Sequence, residues 1–522
     1  MADSVAGAAP ARVAARVRPC VAFLWRALVR RLRGCPAPRP AVLPSRSALL
    51  PLASRLHRAL AWSALVILVA WTLSGFLHPL MSLLAPVPAQ RTPPPVALDA
   101  DAMAAGVPTL LRRVDGASVV RTVPGPGGAL WQLTMPDGER RYRRMDGGPW
   151  PGSDRDYARW LAGWYLGEER AVHSVERLDD FGPDYPWVNR LLPVWAVTFE
   201  GDDGLVAYVH TETGVLASLS DHRRRWMQAG FRQVHTLAFL GALDPLRRTV
   251  VASAMTVLLA LGLAGLVLWW GRPASPKASP ARRWHRRLAL WAGLPLIGMA
   301  SSGLIHTLWK AGDAPDRGLS LPPALVVPTT GFDGKRLAEA LALSDGDVAW
   351  SQASVATLPD GRAVLVLREP LAPGWGVPVP DARVVDLASG TTVADGEREL
   401  ARAAAARHAV PGDALRRVTR FGPDYDFRNR RLPAWITTTA DGRRIAFDPD
   451  TAQRLDAMTA TAVAEAWVFT IVHKWQPLAG LLGSPARRDA LQVAVLTLGL
   501  VLAGLGIALR LRRRAFPSSV SP

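Results

Sequence analysis

The stretch LHRALAWSALVILVAWTLSGFLHPL, residues 56–80, decides how this chain is read. It is one apolar run with a histidine near each end, His57 and His78, and no Asp, Glu, Lys or Arg falls between residues 59 and 90. That exceeds the ~20 apolar residues a helix needs to cross a bilayer. The histidines stand 21 residues apart. At ~1.5 Å per residue this is roughly one hydrocarbon thickness, and the two lie within about 60° of one helix face. The pattern returns in WHRRLALWAGLPLIGMASSGLIHTLW, residues 284–309, with His285 and His306 again 21 apart. A Ser-Gly pair precedes the second histidine each time, Ser74-Gly75 and Ser302-Gly303. The recurrence argues for a duplicated membrane-spanning unit.

Composition and charge agree. Of 522 residues, 49% are hydrophobic, and the net charge is +19. Residues 1–58 hold eleven arginines against one acid, Asp3. Residues 271–287 hold five arginines and a lysine, and residues 510–514 four arginines, with no acid in either. These segments account for the whole excess, and each abuts an apolar run. That is the positive-inside pattern of cytoplasmic loops rather than a nucleic-acid face, so no nucleic-acid partner is expected. The two cysteines, Cys20 and Cys35, precede the first run and are expected reduced. Residues 1–50 make a poor signal peptide, because arginines interrupt the only short apolar core. The first run then serves as an uncleaved anchor, behind an arm with a short basic helix around residues 21–32.

Four spans are expected, over roughly 59–84, 249–270, 288–309 and 490–509. The chain divides into a basic cytoplasmic arm (1–55), a first transmembrane segment (56–86) and a first outer domain (87–245). A second transmembrane segment (246–270), a cytoplasmic loop (271–284) and a third transmembrane segment (285–310) follow. The last parts are a second outer domain (311–488), a fourth transmembrane segment (489–510) and a cytoplasmic tail (511–522). The fold class is a membrane α-helical one: four transmembrane helices from a duplicated unit, with two α+β outer domains.

The outer segments repeat too. FGPDYPWVNRLLPVW at 181–195 and FGPDYDFRNRRLPAW at 421–435 agree at ten of fifteen positions. Hairpin-like runs follow at 196–199, 205–210 and 215–220, and again at 436–439 and 443–447, separated by Gly/Asp turns. Helices are expected upstream at 154–166 and 397–407. A further histidine precedes the next span in each half, His235 in FRQVHTL and His473 in FTIVHKW. Gly-Pro-Asp is itself a turn former, so Asp184, Tyr185, Asn189 and Arg190, with their counterparts Asp424, Tyr425, Asn429 and Arg430, are read as a structural corner. His173, His210, His222 and His408 have no aligned partner and are read as ordinary residues of the outer domains.

On the LHR…SG…H helices and the hairpins AYVHTETGVL and IAFDPDTAQRL, the chain resembles the PepSY-associated transmembrane proteins over about residues 50–510. The resemblance implies two PepSY-like periplasmic domains on a bacterial inner-membrane protein with both termini cytoplasmic. It implies a haem b-dependent ferric-siderophore reductase of iron acquisition, with one to three haems and two expected. The haem-iron ligands it implies are His57, His78, His235, His285, His306 and His473. The residues allow this reading independently. Histidine beside a span is costly and usually functional, and neutral imidazole is an axial haem ligand. A duplicated helix supplies facing pairs by symmetry. His57 with His285 is expected near the cytoplasmic face, with Arg55, Arg58, Arg286 and Arg287 available for propionates. The pairing of the other four stays open, and Gly75 and Gly303 are expected to let a flat macrocycle approach.

Neither G-x-G-x-x-G nor a P-loop occurs, so electrons are expected from a quinol or a separate cytoplasmic flavoprotein, with a ferric siderophore or another periplasmic acceptor outside. Two other readings belong to different classes. One is a cofactor-free, membrane-anchored PepSY module that binds a partner or inhibits a peptidase. The other is an iron-chelate transporter, although the spans offer no charged residue for an ion path.

Overall fold

The computed structural model describes residues 46–515 apart from 115, 168–169, 190, 274, 310–319, 327–333, 343–349, 371–378, 423 and 427–428. The basic arm over 1–45, with both cysteines and the helix expected near 21–32, lies outside the described residues, as does Arg190.

Among the described residues three helices are long and apolar enough to cross a membrane: Arg46–Leu83, Asp244–Gly271 and Pro485–Ala515. A fourth apolar stretch is a pair, Pro280–Trp291 and Gly293–Trp309, bent by 49° at Ala292. The bend has a local cause. Pro295 has no N–H to offer the Trp291 carbonyl, and Gly293 two residues earlier is the weakest helix former after proline. Arg46–Leu83 packs along Asp244–Gly271, which packs on Gly293–Trp309, while Pro485–Ala515 closes against Pro280–Trp291 and Arg46–Leu83. Ala254, Met255 and Ala300 fill the contact, with Trp71 and Leu304 beside them. Backbones come close there: a Cβ on Gly262 would stand 2.5 Å from Ile297 Cγ1. Only 17% of the apolar window of each long helix is buried inside the protein. The remaining apolar surface calls for a hydrocarbon solvent. One end of this bundle carries Arg58, Arg286, Arg287 and Arg510; the other carries the sheets.

The chain beyond the bundle is antiparallel throughout. In the first half, β1 (Val119–Gly125), β2 (Gly128–Thr134) and β3 (Arg140–Arg144) form one meander. A second comprises β4 (Val172–Leu178), β5 (Val194–Phe199), β6 (Val206–His210) and β7 (Val215–Ser220). The second half repeats both, as β8 (Gln352–Thr357), β9 (Ala363–Arg368) and β10 (Arg383–Asp386), then β11 (Arg416–Val418), β12 (Ala434–Thr438), β13 (Arg444–Phe447) and β14 (Arg454–Met458). The later meanders stay separate four-stranded sheets, whereas the earlier two fuse into one sheet of order β10-β9-β8-β1-β2-β3. Val120 lies opposite Val355 at the junction. The two outer segments, separate along the chain, therefore share a sheet.

Each four-stranded sheet is backed by the helix that precedes it. Asp154–Leu166 opens with a Ser153/Asp156 capping box and stops at left-handed Gly167. It lays Tyr157, Leu161 and Tyr165 on Val197, Ala207 and Val209. Gly396–Arg407 sets Ala404 and Ala405 against Ile445 and Phe447. A buried ion network stitches the halves together. Glu212, in the turn between β6 and β7, accepts from Arg431 of the second half at 2.7 Å and from Arg140 at 3.3 Å. Burial alone would raise the Glu212 carboxyl, but the Arg431 and Arg140 guanidiniums outweigh it and hold it well below the usual carboxylate range.

Candidate functional site

At the arginine end, His57 and His285 face each other with ring centroids 6.4 Å apart and planes at 75°. Each is held from behind in the same way. His57 Nδ1 lies 3.3 Å from the Leu261 carbonyl and His285 Nδ1 3.3 Å from that of Leu502. A carbonyl only accepts, so each Nδ1 carries the proton and each Nε2 keeps its lone pair. Four residues after each carbonyl comes a glycine. A Cβ on Gly265 would stand 3.4 Å from His57 Cε1, and one on Gly506 3.5 Å from His285 Cε1, so a longer side chain at either place would displace the ring. Arg286 lies over Trp269, Arg287 over Trp284 and Arg510 over Trp62. Among the described residues none of these arginines is paired with a carboxylate.

At the sheet end the serine of each Ser-Gly pair holds a histidine of another helix. Ser74 Oγ lies 3.1 Å from His235 Nδ1, and Ser302 Oγ 3.0 Å from His473 Nδ1. Each hydroxyl has one proton, and it goes back along its own helix, to the Trp71 carbonyl at 3.1 Å and the Met299 carbonyl at 2.9 Å. The oxygen must then accept from Nδ1–H, which again leaves Nε2 free. His306 Nδ1 is bonded to the Glu465 carboxylate at 2.5 Å. His78 is exposed, and among the described residues its ring has no hydrogen-bond partner. His57, His285, His235 and His473 thus present an unprotonated Nε2.

Within each half a phenyl ring keeps two histidines apart. Phe469 stacks on His306 at 4.7 Å and on His473 at 4.5 Å, both nearly parallel. Phe231 touches His235 at 4.6 Å and His78 at 5.9 Å. The phenyl ring thus contacts both histidines of its own half. His473 is within electrostatic reach of His235 as well as of His306. The backbone repeats too. Two residues after each of His235 and His473 comes a bulky residue in the left-handed region, Leu237 (φ 50°) and Trp475 (φ 52°), at a cost of about 1–2 kcal/mol each. A short helix follows in both halves, Ala238–Leu243 and Gln476–Leu481.

The FGPDY motifs dock on the helices that carry these histidines. The Pro183 carbonyl accepts from Gln228 at 2.8 Å and Arg232 at 3.0 Å, on the His222–His235 helix. Asp424 accepts from Trp467 Nε1 at 3.1 Å, on the Ala460–Val468 helix. Buried Tyr185 donates to the Leu191 carbonyl at 2.9 Å, closing the corner. Gly75 and Gly303 do not border an open slot: Gly75 faces Leu496 and His235, and a Cβ on Gly303 would stand 3.3 Å from the Met255 sulfur. Sequence reading missed the phenyl separators, although F-x-x-x-H stands in both FRQVH and FTIVH and places the two rings on one helix face. Glu465, Gly265 and Gly506 were also missed. No family model matches the chain, and no curated protein is significantly similar to it.

Proposed function

We propose that the chain is a four-span, haem-bearing electron-transfer protein of the PepSY-associated transmembrane kind, with the bent helix pair forming one broken span. The arginine end faces the cytoplasm and the sheets face the periplasm of a bacterial inner membrane, as the positive-inside charge asymmetry argues. The observation that carries the reading is the pair His57 and His285, two imidazoles from opposite halves with both Nδ1 atoms tied to main-chain carbonyls. A metal held between two imidazole nitrogens at ~2.0 Å each sets the ring centroids roughly 6.3 Å apart, and these stand at 6.4 Å. Nδ1–H bonded to a carbonyl is the arrangement that orients a metal-ligating histidine. Among the described residues no group of three or more His, Cys, Asp or Glu is placed to hold a bare metal ion. Haem iron takes only its axial ligands from protein, so paired histidines suffice for it.

In this reading His57 and His285 would hold one haem, and histidines of the two halves at the sheet end would hold a second. When bound they supply one-electron Fe(III)/Fe(II) couples. The protein's residues orient the imidazoles, surround them with apolar side chains, and offer Arg58, Arg286, Arg287 and Arg510 to the propionates on the cytoplasmic side. Electrons from a quinol or cytoplasmic flavoprotein pass outward to a ferric chelate, one electron for each Fe(III) reduced. The test is a dithionite-reduced minus oxidised visible spectrum of the detergent-purified protein, with haem quantified as the pyridine adduct. Sharp b-type bands are expected, diminished by about half in His57→Ala. A folded protein that is haem-free after expression in haem-replete cells would refute the proposal and leave a binding module.

A further inference from the structure

The duplication is broken at one buried residue of the sheet end. Glu465, in the Ala460–Val468 helix, is 5% exposed, and its Oε1 lies 2.5 Å from His306 Nδ1. Among the described residues it is the one carboxylate bonded to any of the six histidines. The position eight residues before the repeat histidine is Glu465 in the second half and Met227 in the first. Met227 is buried and uncharged. Other charges face this end. Lys474 stands 5.1 Å above Phe469, on the stack that includes His306. Asp489 is within electrostatic reach of His78, but it is bonded to Arg488 at 2.6 Å.

We propose that Glu465 sets the reduction potential of the sheet-end redox centre, lowering it through His306. The proposal rests on the haem reading above. A carboxylate that accepts from Nδ1–H strengthens the imidazole as a donor at Nε2. A negative charge held out of water, where solvent and salt screen it little, also favours Fe(III) over Fe(II). Both effects act in the same direction on the one-electron couple. A centre so lowered is the stronger reductant, which suits an acceptor whose iron is held as Fe(III) by hard oxygen ligands. The carboxylate makes the sheet end chemically unlike the arginine end, where among the described residues no carboxylate is bonded to either imidazole.

The test is spectroelectrochemistry on full-length protein in detergent, in a His57→Ala background so that only the sheet-end haem reports. Glu465→Gln keeps the shape and removes the charge. It is expected to keep its haem and to shift the equilibrium toward Fe(II) by about tenfold, which is 59 mV for one electron. Met227→Leu, at the equivalent place, is expected to leave the midpoint where it was. An unmoved or lowered midpoint in Glu465→Gln overturns the proposal. So does loss of haem, since Glu465 would then be holding the ligand rather than setting its potential. Wild-type protein without haem is a different failure, that of the haem reading, and it is seen before any variant is made.

Discussion

The Ser74 and Ser302 hydroxyls offer the sharpest test of how the sheet-end histidines are held. Replacing both by alanine removes the oxygens at 3.1 Å and 3.0 Å from His235 and His473 Nδ1. Both serines are almost fully buried, so no bulk water takes their place. Removing the partner of a ligating histidine costs roughly 10–100-fold in metal affinity. Here the Trp71 and Met299 carbonyls that bonded the hydroxyls also lie near the same nitrogens and remain available. The lower figure therefore applies, and since a sheet-end haem held by His306 takes its second ligand from the first half, only His235 of the two serine-held histidines can ligate it, so the double variant should lose about tenfold, or roughly 1.4 kcal/mol. The assay is haemin titration of apoprotein followed by visible absorbance, with the His57/His285 site as internal reference. A Ser74→Ala/Ser302→Ala protein that binds two haems with parental affinities would refute the assignment of Nδ1–H to these histidines.

Other expectations follow from the same geometry. Gly506→Leu drives a branched side chain into the place of the His285 ring and should remove one haem of two, leaving the outer sheets intact by circular dichroism. Arg431→Ala leaves the Glu212 carboxylate with Arg140 alone in the buried junction between the halves and should cost about 1.5–3 kcal/mol, read as a fall in the unfolding midpoint of the detergent-solubilised protein. The Glu212 carboxyl is depressed in the folded protein, so its contribution is complete above its unfolded value near pH 4.3 and is lost as pH falls below that. Unfolding followed between pH 3 and pH 7 should show an acid-labile component that Glu212→Gln lacks; equal pH profiles would count against the network.

Much of the fold was legible because two physical signals dominate it. Apolar runs marked the long helices, and Gly/Asp turns between alternating strands marked β5, β6, β7, β12 and β13 to within two residues. The helix at 154–166 was found at those bounds, since Ser153, Asp156 and Gly167 punctuate it. What sequence did not reveal was non-local. Nothing in VVRTVPG says that it pairs with QASVAT more than two hundred residues later. The bend at Ala292 was written in Gly293 and Pro295, yet hydropathy over 288–309 hides it. At the site, the six histidines stood out because histidine is rare beside a span. Their supports did not, because a main-chain carbonyl or a leucine-to-glycine spacing looks like any other piece of apolar helix.

The six-stranded sheet also sets an order of events during biosynthesis. β1 is an interior strand only once β8 lies beside it, and in the proposed four-span topology two further membrane crossings must be threaded between their synthesis. Until then the first half waits outside the membrane with an open strand edge, the kind of surface that recruits other chains. The first half's strands can reach their final sheet only after β8, β9 and β10 have been made. Slow completion of the later half would therefore leave a half-protein whose bare β edge is open to pairing with other chains.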